Sequence, residues 1–160
     1  MMQKASEVIK KLQGKTLVTA ESLTGGMIGA ELTAVPGASA VYKGGVVSYT
    51  NEVKQAVLGV PEEILDRYGA VSMWTAGYMA SGARKLLNAD VAVSVTGLAG
   101  PGGGTEDIPV GRVYLGLSRE EGTETVTLDL QGDREQVRST AVLCMIQEII
   151  KRLTYTKGEI

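Results

Sequence analysis

A serine stands between a short apolar run and a pair of glycines near the amino terminus. The stretch "TAESLTGG" places Glu21, Ser22 and Thr24 directly before Gly25 and Gly26. A serine between a strand and a helix lies at a sheet edge, where the first N–H groups of the helix are unpaired and point outward. Those N–H groups can stabilise an oxyanion or hold a phosphate, so Ser22 is a candidate nucleophile. The alternative is that Ser22 or Thr24 only caps the helix.

A catalytic serine needs a base, and none of the 160 residues is a histidine. A Ser-His-Asp triad is therefore excluded within the chain, and a lysine held neutral is the better candidate. Lys54 follows Asn51, the predicted cap of a short helix, by three residues. The positive end of the helix dipole should lower the lysine pKa there, and burial would add to that effect. Tyr49, at the end of the preceding strand, is positioned to relay a proton or to order the lysine. The alternative is a solvated lysine and a half-buried tyrosine.

A glycine-rich stretch, "GLAGPGGGTEDIPVG", follows another buried-type strand. It lacks the Gly-Lys-Ser/Thr ending of a phosphate-binding Walker loop, so its use would be close backbone approach to a ligand. Thr96, at the strand end, could direct a hydroxyl into the same crevice. The candidate substrate-binding residues here are Thr96, Gly97, Gly100, Gly102 and Gly103. The alternative is a flexible surface loop.

Two arginines lie four residues apart near the start of the last predicted helix. In "GDREQVR", Arg134 and Arg138 occupy one helix edge, where a pair of guanidinium groups could clamp a phosphate. The alternative is that both are solvated and pair with Glu135 or Asp133.

The composition bounds the function further. With 44% apolar and 21% charged residues, the chain is expected to form one domain over residues 1–160. A net charge of −2 with scattered basic residues argues against a nucleic-acid partner. No apolar run approaches the roughly 18 residues needed to span a bilayer, so we predict a cytoplasmic protein with no membrane association. Cys144 lies in an apolar helical stripe and is expected to be a core residue, and no metal site is predicted.

Strand and helix patterns alternate at the front of the chain, and a hairpin follows at the back. Strands are predicted at 15–20, 39–50, 90–97, 111–118 and 124–131. Helices are predicted at 2–13, 27–35 and 51–58, from Pro61, at 73–88 after a Ser72 cap, and after Asp133, which forms a capping box with Gln136. The tail after Thr154 is expected to fray. Gly44 and Gly45 interrupt the second strand, as a bulge or a close backbone approach would. This order predicts an α/β fold, a three-layer α/β/α sandwich around a mixed, mostly parallel sheet.

Five separated blocks, "TAESLTGG", "GGVVSYTNEVKQAVLGV", "GAVS", "VAVSVTGLAGPGGGTEDIPVG" and "GDREQVR", resemble in order and spacing the CinA carboxy-terminal domain family of nicotinamide-mononucleotide deamidases. The resemblance covers roughly residues 4 to 153. It implies an amidohydrolase that converts nicotinamide mononucleotide to nicotinic acid mononucleotide and ammonia in pyridine nucleotide recycling, without a cofactor or metal. It also implies a homo-oligomer. The alternative kept open is a non-catalytic nucleotide-binding or regulatory module of the same fold.

By this resemblance Ser22 is the nucleophile, Lys54 the base and Tyr49 the assisting residue. Thr96 and the glycine-rich loop then line the substrate site, an arginine of "GDREQVR" meets the phosphate, and N–H groups near Thr24 to Gly26 stabilise the oxyanion. The sequence departs from the family pattern at three positions, namely Leu23 for a usual Cys, Ile108 for a common Lys and Trp74 for a frequent Glu.

Overall fold

The computed structural model describes residues 1–153 of the chain. Within this range five strands form one sheet: β1 (Leu17–Glu21), β2 (Tyr42–Val47), β3 (Val91–Gly97), β4 (Arg112–Arg119) and β5 (Gly122–Asp129). The strand order is β2-β1-β3-β4-β5. Strand β1 pairs in parallel with β2 and with β3, whereas β4 is antiparallel to β3 and to β5. The mixed sheet was predicted correctly, although two of its four pairings are antiparallel.

Helices cover both faces of this sheet. The α-helices of the described range are α1 (Met2–Lys11), α2 (Met27–Thr33), α3 (Asn51–Ala56), α4 (Glu62–Tyr68), α5 (Met73–Leu86) and α6 (Arg134–Glu148). A short 3₁₀ turn at Ala38–Ala40 precedes β2, and a π turn at Ile149–Leu153 continues α6. None of the helices in residues 1–153 is long and apolar enough to cross a bilayer.

Two apolar clusters, one on each face, hold the layers together. In β1, Leu17 belongs to the cluster with α1, α2 and α6, whereas Val18 and Ala20 belong to the cluster with α4 and α5. Alternate side chains of a strand point to opposite faces of the sheet, so a strand whose odd and even residues are all buried must be covered on both faces. All five residues of β1 are buried, as the apolar run in the sequence predicted. The α/β/α sandwich is confirmed.

The irregularity predicted at Gly44 and Gly45 is present and has two parts. The register with β1 shifts between Leu17 and Val18, so that Lys43 is left as the extra residue of a bulge. A Cβ on Gly45 would lie 2.2 Å from Thr19 Oγ1, so the backbone approaches β1 too closely for any larger residue. The bulge at Lys43 and the close backbone approach at Gly45 are therefore both present.

Several element ends differ from the sequence prediction. Thr50, and not Asn51, caps α3, because its side chain accepts a hydrogen bond from the N–H of Val53. Pro61 is the cap of α4 and not its first helical residue. Ser72 caps α5, and Asp133 and Gln136 form the predicted capping box. The predicted fraying after Thr154 lies outside the described residues.

The sheet topology decides where chemistry can occur. Strand β1 is flanked by β2 and β3, and all three run in parallel, so their carboxyl ends open at one edge. Ser22 follows β1, Tyr49 lies just beyond β2, and Thr96 lies at the end of β3. Ligands of open α/β sheets bind at this edge, and three of the candidate residues lie along it.

Candidate active site

Ser22 lies in a tight turn directly after β1. Its N–H donates to Val95 O at 3.0 Å, which extends the β1–β3 pairing by one residue, and its carbonyl accepts from Gly25 N at 3.1 Å. Gly25 and Gly26 have φ angles of 58° and 101°, in the left-handed region that glycine adopts without strain. The glycine pair therefore allows the chain to reverse immediately after the serine.

Lys54 reaches this turn from α3 and is almost completely buried, with 1% of its surface exposed. Its Nζ atom lies 3.0 Å from Ser22 Oγ, 2.7 Å from Ser48 O and 3.2 Å from Tyr49 O. The two candidate catalytic residues, 32 positions apart in sequence, are thus in direct hydrogen-bond contact.

Burial lowers the pKa of Lys54 from its ordinary value of 10.5 to about 8. Removing an ammonium from water disfavours its charged form, and among residues 1–153 no carboxylate pairs with Lys54 to oppose that effect. The direction was predicted correctly from two causes, the amino terminus of the helix and burial, and burial is the one that the structure supports. Lys54 lies in the last turn of the six-residue α3, so desolvation is the cause.

The partners of Lys54 determine which way a neutral amine would face. Carbonyl oxygens only accept hydrogen bonds, so Ser48 O and Tyr49 O would take the two N–H bonds that remain after deprotonation. The lone pair is then left for the hydroxyl of Ser22. This arrangement can remove the serine proton in a defined direction, as nucleophilic catalysis by a serine and a lysine requires.

Tyr49 is connected to this pair through its backbone. Its carbonyl accepts from Lys54, whereas its hydroxyl lies 3.3 Å from Arg134 Nη2 and the side chain is 61% exposed. Of the two roles suggested by the sequence, ordering the lysine is the one for which the structure provides a contact, and that contact is made by the main chain.

A cavity of about 320 Å³ opens directly onto Ser22 and Lys54. Its walls come from all three parallel strand ends, from the glycine-rich loop and from the start of α6. The lining residues are Ser22, Leu23, Tyr49, Lys54, Ala70, Val71, Thr96, Gly97, Leu98, Ala99, Gly100, Gly102 and Arg134. Ala70 and Val71, which precede α5, carry no chemical group that the sequence analysis could have recognised.

The predicted substrate-binding residues divide into two groups. Thr96, Gly97, Gly100 and Gly102 line the cavity, although the Thr96 hydroxyl donates to Ala70 O at 2.7 Å and so also fixes the wall. The other five, Gly103, Thr24, Gly25, Gly26 and Arg138, are not among the residues that line the cavity. Thr24 is fully buried, and its hydroxyl donates to Glu21 Oε1 at 2.7 Å.

The two arginines of "GDREQVR" also have different surroundings. Arg134 lines the cavity and donates to Gly100 O at 2.9 Å, so its guanidinium lies beside the glycine-rich loop. Arg138 instead donates from Nε to Leu23 O at 2.8 Å and does not line the cavity. The two arginines therefore contact different segments, the glycine-rich loop and the turn after Ser22, and their i, i+4 spacing alone could not show this.

Glu21 is the residue at this site whose role the sequence analysis missed. It ends a strand that is buried throughout, and its carboxylate accepts hydrogen bonds from the N–H groups of Ile28 and Gly29 at 2.9 and 3.1 Å. Helix α2 is thus capped by a side chain from β1, and neither Ser22 nor Thr24 is its cap. A charged residue inside a run of buried positions was the available signal.

Of the three departures from the family pattern, Leu23 adjoins Ser22 and lines the cavity, whereas Ile108 and Trp74 do not line it. Leu23 is buried in the core beside Ser22. Ile108 is absent from the cavity lining, and Trp74 is half exposed and stacks on Tyr68 with ring centroids 5.3 Å apart.

A larger cavity, of about 590 Å³, lies at the opposite edge of the sheet. Its wall includes Thr16 and Asp90, which are hydrogen-bonded to each other across the strand starts. The smaller cavity is the candidate active site because it is lined by Ser22 and Lys54, the buried candidates for nucleophile and base.

Fold and site together define an α/β protein with a buried serine–lysine pair at the carboxyl edge of its sheet. The chain belongs to the CinA C-terminal domain family, whose model matches residues 1–153. It is similar to the crystal structure of competence damage-inducible protein A from Klebsiella pneumoniae, at 36% identity, a TM-score of 0.93 and 98% coverage of both chains. It is also similar to the competence/damage inducible protein CihA from Agrobacterium tumefaciens, at 39% identity and a TM-score of 0.91, covering 94% of this chain and 93% of that one.

The sequence relatives are longer proteins. A CinA-like protein of Parasynechococcus marenigrum is 49% identical over 154 residues, which is 93% of this chain but 36% of the relative. The chain spans about a third of the length of the curated relatives it matches. Their names refer to competence and damage induction, so they establish the family without specifying a reaction.

Proposed function

We propose that the chain is a serine amidohydrolase that deamidates nicotinamide mononucleotide to nicotinic acid mononucleotide and ammonia. The observation that carries this proposal is the 3.0 Å contact between Ser22 Oγ and the buried Nζ of Lys54. A lysine buried with no carboxylate partner is costly to keep, and such a cost is expected at functional sites. The family resemblance supplies the substrate.

The reaction begins with Lys54 in its neutral form. Nζ takes the proton of Ser22 Oγ, and the oxygen attacks the carboxamide carbon to give a tetrahedral oxyanion. The protonated lysine then returns the proton to the leaving nitrogen, ammonia departs, and an ester to Ser22 remains. Water attacks this ester with Lys54 again as the base, which releases the carboxylate product and restores the serine. The cycle consumes only water, so it requires no cofactor.

Main-chain N–H groups at the start of the serine turn are the candidates for stabilising the oxyanion. The N–H of Gly25 is committed to Ser22 O, whereas in the described residues nothing accepts from the N–H groups of Leu23 and Thr24. Leu23 also lines the cavity. A donor of this kind commonly lowers the barrier by about 3 kcal/mol. We therefore propose that the N–H groups of Leu23 and Thr24, instead of those of Thr24 to Gly26, stabilise the oxyanion.

Arg134 is the proposed phosphate ligand. Its guanidinium lines the cavity beside Gly100, within 3.3 Å of the Tyr49 hydroxyl, so a phosphate could meet both groups. Planar guanidinium groups bind phosphate oxygens through charge-assisted hydrogen bonds. This choice assigns the recognition of the nucleotide to one side of the cavity and the chemistry to the other.

The test is release of ammonia from nicotinamide mononucleotide by the purified chain. Wild type is expected to turn over, whereas Ser22→Ala and Lys54→Ala should each lose activity by a factor on the order of 10² to 10⁴. Arg67→Met, which changes an exposed residue on α4, is the control and should retain the wild-type rate. Binding of the nucleotide without turnover by wild type would instead favour a non-catalytic nucleotide-binding module.

A further inference from the structure

The carboxylate of Glu21 holds the turn that carries Ser22. It is 2% exposed and accepts three hydrogen bonds, from the Thr24 hydroxyl at 2.7 Å and from the N–H groups of Ile28 and Gly29 at 2.9 and 3.1 Å. All three donors come from the segment immediately after Ser22. Among the described residues no lysine or arginine pairs with this carboxylate. The side-chain hydrogen bonds of Glu21 in the described residues therefore all go to the segment that follows Ser22.

The backbone of Glu21 connects the same turn to the base. Its carbonyl accepts from Ser48 N at 2.8 Å, and the carbonyl of Ser48 accepts from Lys54 Nζ at 2.7 Å. Glu21 thus joins two parts of the site, the serine turn through its side chain and the lysine through the end of β2. A shift of Glu21 would change the distance between nucleophile and base.

Arg138 contacts the same turn through a different residue, Leu23. Its Nε donates to Leu23 O at 2.8 Å, and its Nη2 would lie 3.6 Å from a Cβ at Gly25. The guanidinium therefore packs along the turn itself. Because Arg138 does not line the cavity, it has no described route to a substrate there.

We propose that Glu21 and Arg138 are positioning residues that hold the turn of residues 22–25 so that Ser22 Oγ stays within hydrogen-bond reach of Lys54. The inference rests on the proposed function, since it takes Ser22 as the nucleophile. Displacement of a reacting group by about 1 Å can cost about 10²-fold in rate. Glu21 and Arg138 therefore act on the reaction without touching a substrate.

The test uses a small fluorophosphonate that labels active serines, followed by intact-mass and peptide mass spectrometry. Ser22 Oγ forms a bond to phosphorus, the P–F bond breaks, fluoride leaves, and Lys54 takes the serine proton. The labelling rate reports on the Ser22–Lys54 geometry without an amide substrate. Steady-state kinetics with nicotinamide mononucleotide are measured in parallel, to separate kcat from KM.

The Arg138 variants form a matched pair. Glutamine places its side-chain nitrogen the same number of bonds from the backbone as arginine Nε, whereas methionine has no donor there. Arg138→Met is expected to label at least about tenfold more slowly than wild type, with kcat reduced similarly and KM within about twofold. Arg138→Gln should recover most of the labelling rate, and the exposed control Arg67→Met should match wild type.

The Glu21 variants should show a graded effect. Glu21→Gln keeps one acceptor oxygen and should be slowed less than Glu21→Met, which loses all three hydrogen bonds. Labelling is done at a temperature where circular dichroism shows each variant to be folded, because a merely stabilising residue would lower Tm without slowing the folded protein. If Glu21→Met does not fold, Thr24→Val replaces it, since valine removes one of the same bonds.

The outcomes separate the two proposals. Wild-type labelling rates in Arg138→Met and in the folded Glu21 or Thr24 variant would overturn the positioning role and leave the nucleophile standing. Labelling of wild type at Ser22 without ammonia release would overturn the substrate but not the positioning role. Failure of wild type to label at Ser22 would overturn the nucleophile and, with it, this inference.

Discussion

At the scale of single residues, the site depends on how Lys54 loses its proton. Lys54 Nζ touches two carbonyl oxygens and one hydroxyl, and burial is what lowers its pKa to about 8. Roughly one molecule in ten would hold the neutral amine at pH 7. A neutral amine is thus available near neutral pH in a chain that has no histidine, as the proposed mechanism requires.

This makes the rate depend on pH in a predictable direction. In the proposed mechanism the neutral amine is the base, and it accumulates above the pKa. The kcat/KM for amide hydrolysis should therefore rise with pH, with a midpoint near 8, and then level off. Ammonia release across pH 6 to 10 measures this directly. Lys54→Arg, which stays charged, should be inactive throughout, and a flat wild-type profile would count against a lysine base.

Arg134 should affect affinity more than chemistry. Arg134→Met is expected to raise KM for nicotinamide mononucleotide by about tenfold or more, because charge-assisted hydrogen bonds contribute roughly 1.5 to 3 kcal/mol. Nicotinamide riboside, which lacks the phosphate, serves as the matched substrate. With this substrate the substitution should raise KM only by the cost of losing the Arg134 contacts to Gly100 and Tyr49. Equal losses with both substrates would argue against Arg134 as the phosphate ligand.

At the scale of elements, α3 is a short helix that must hold a buried lysine in register. Its cap is Thr50, whose hydroxyl accepts from Val53 N, whereas Asn51 is the first helical residue. Thr50→Ala should therefore lower the free energy of unfolding by about 1 kcal/mol, and Thr50→Ser should retain most of it. Urea unfolding checks this, with Asn51→Ala as the comparison. A larger loss in Asn51→Ala would restore Asn51 as the cap.

The elements were easier to predict than the contacts between them. Runs that are apolar at both odd and even positions identified β1 and β3, and the spacing of Asp133 and Gln136 identified the start of α6. These signals are local, so one sequence suffices to read them. The bonds from Glu21 to Ile28 and from Arg138 to Leu23 depend on how a turn and two helices pack, and no spacing encodes that.

The same limit applies to Lys54. Its lowered pKa was predicted from a helix terminus and from burial, but how far the side chain is buried depends on the β2 and β1 ends that enclose it. The serine–lysine pair itself was inferred from the absence of histidine and from the family resemblance. Only the three-dimensional arrangement could show that their polar atoms touch.

At the scale of the whole molecule, three strand ends and one helix start converge on a single edge, and the fold accepts a buried lysine there. Its ordinary pKa of 10.5 in the unfolded chain falls to about 8 in the folded one, a difference of about 3 kcal/mol between the two protonation states. Below about pH 8 both states hold the proton, so folding bears the full cost. Burying Lys54 is therefore expected to lower the free energy of unfolding at neutral pH.

That cost should diminish as pH rises. Between about pH 8 and 10.5 the folded protein has lost the Lys54 proton while the unfolded chain keeps it, so this lysine makes unfolding progressively less favourable. Lys54→Met removes the titration and leaves Ser48 O and Tyr49 O without their donor at every pH. That constant loss cancels when the variant is compared with wild type at two pH values.

The difference in unfolding free energy, Lys54→Met minus wild type, should therefore fall by about 2 kcal/mol between pH 7 and pH 10. Urea unfolding followed by circular dichroism measures both proteins at both values. Lys85→Met, which changes an exposed residue of α5, is the matched control and should track wild type at each pH. A Lys54→Met difference that stays constant would mean that the buried amine keeps its ordinary affinity for protons, and the proposed base would lose its physical basis.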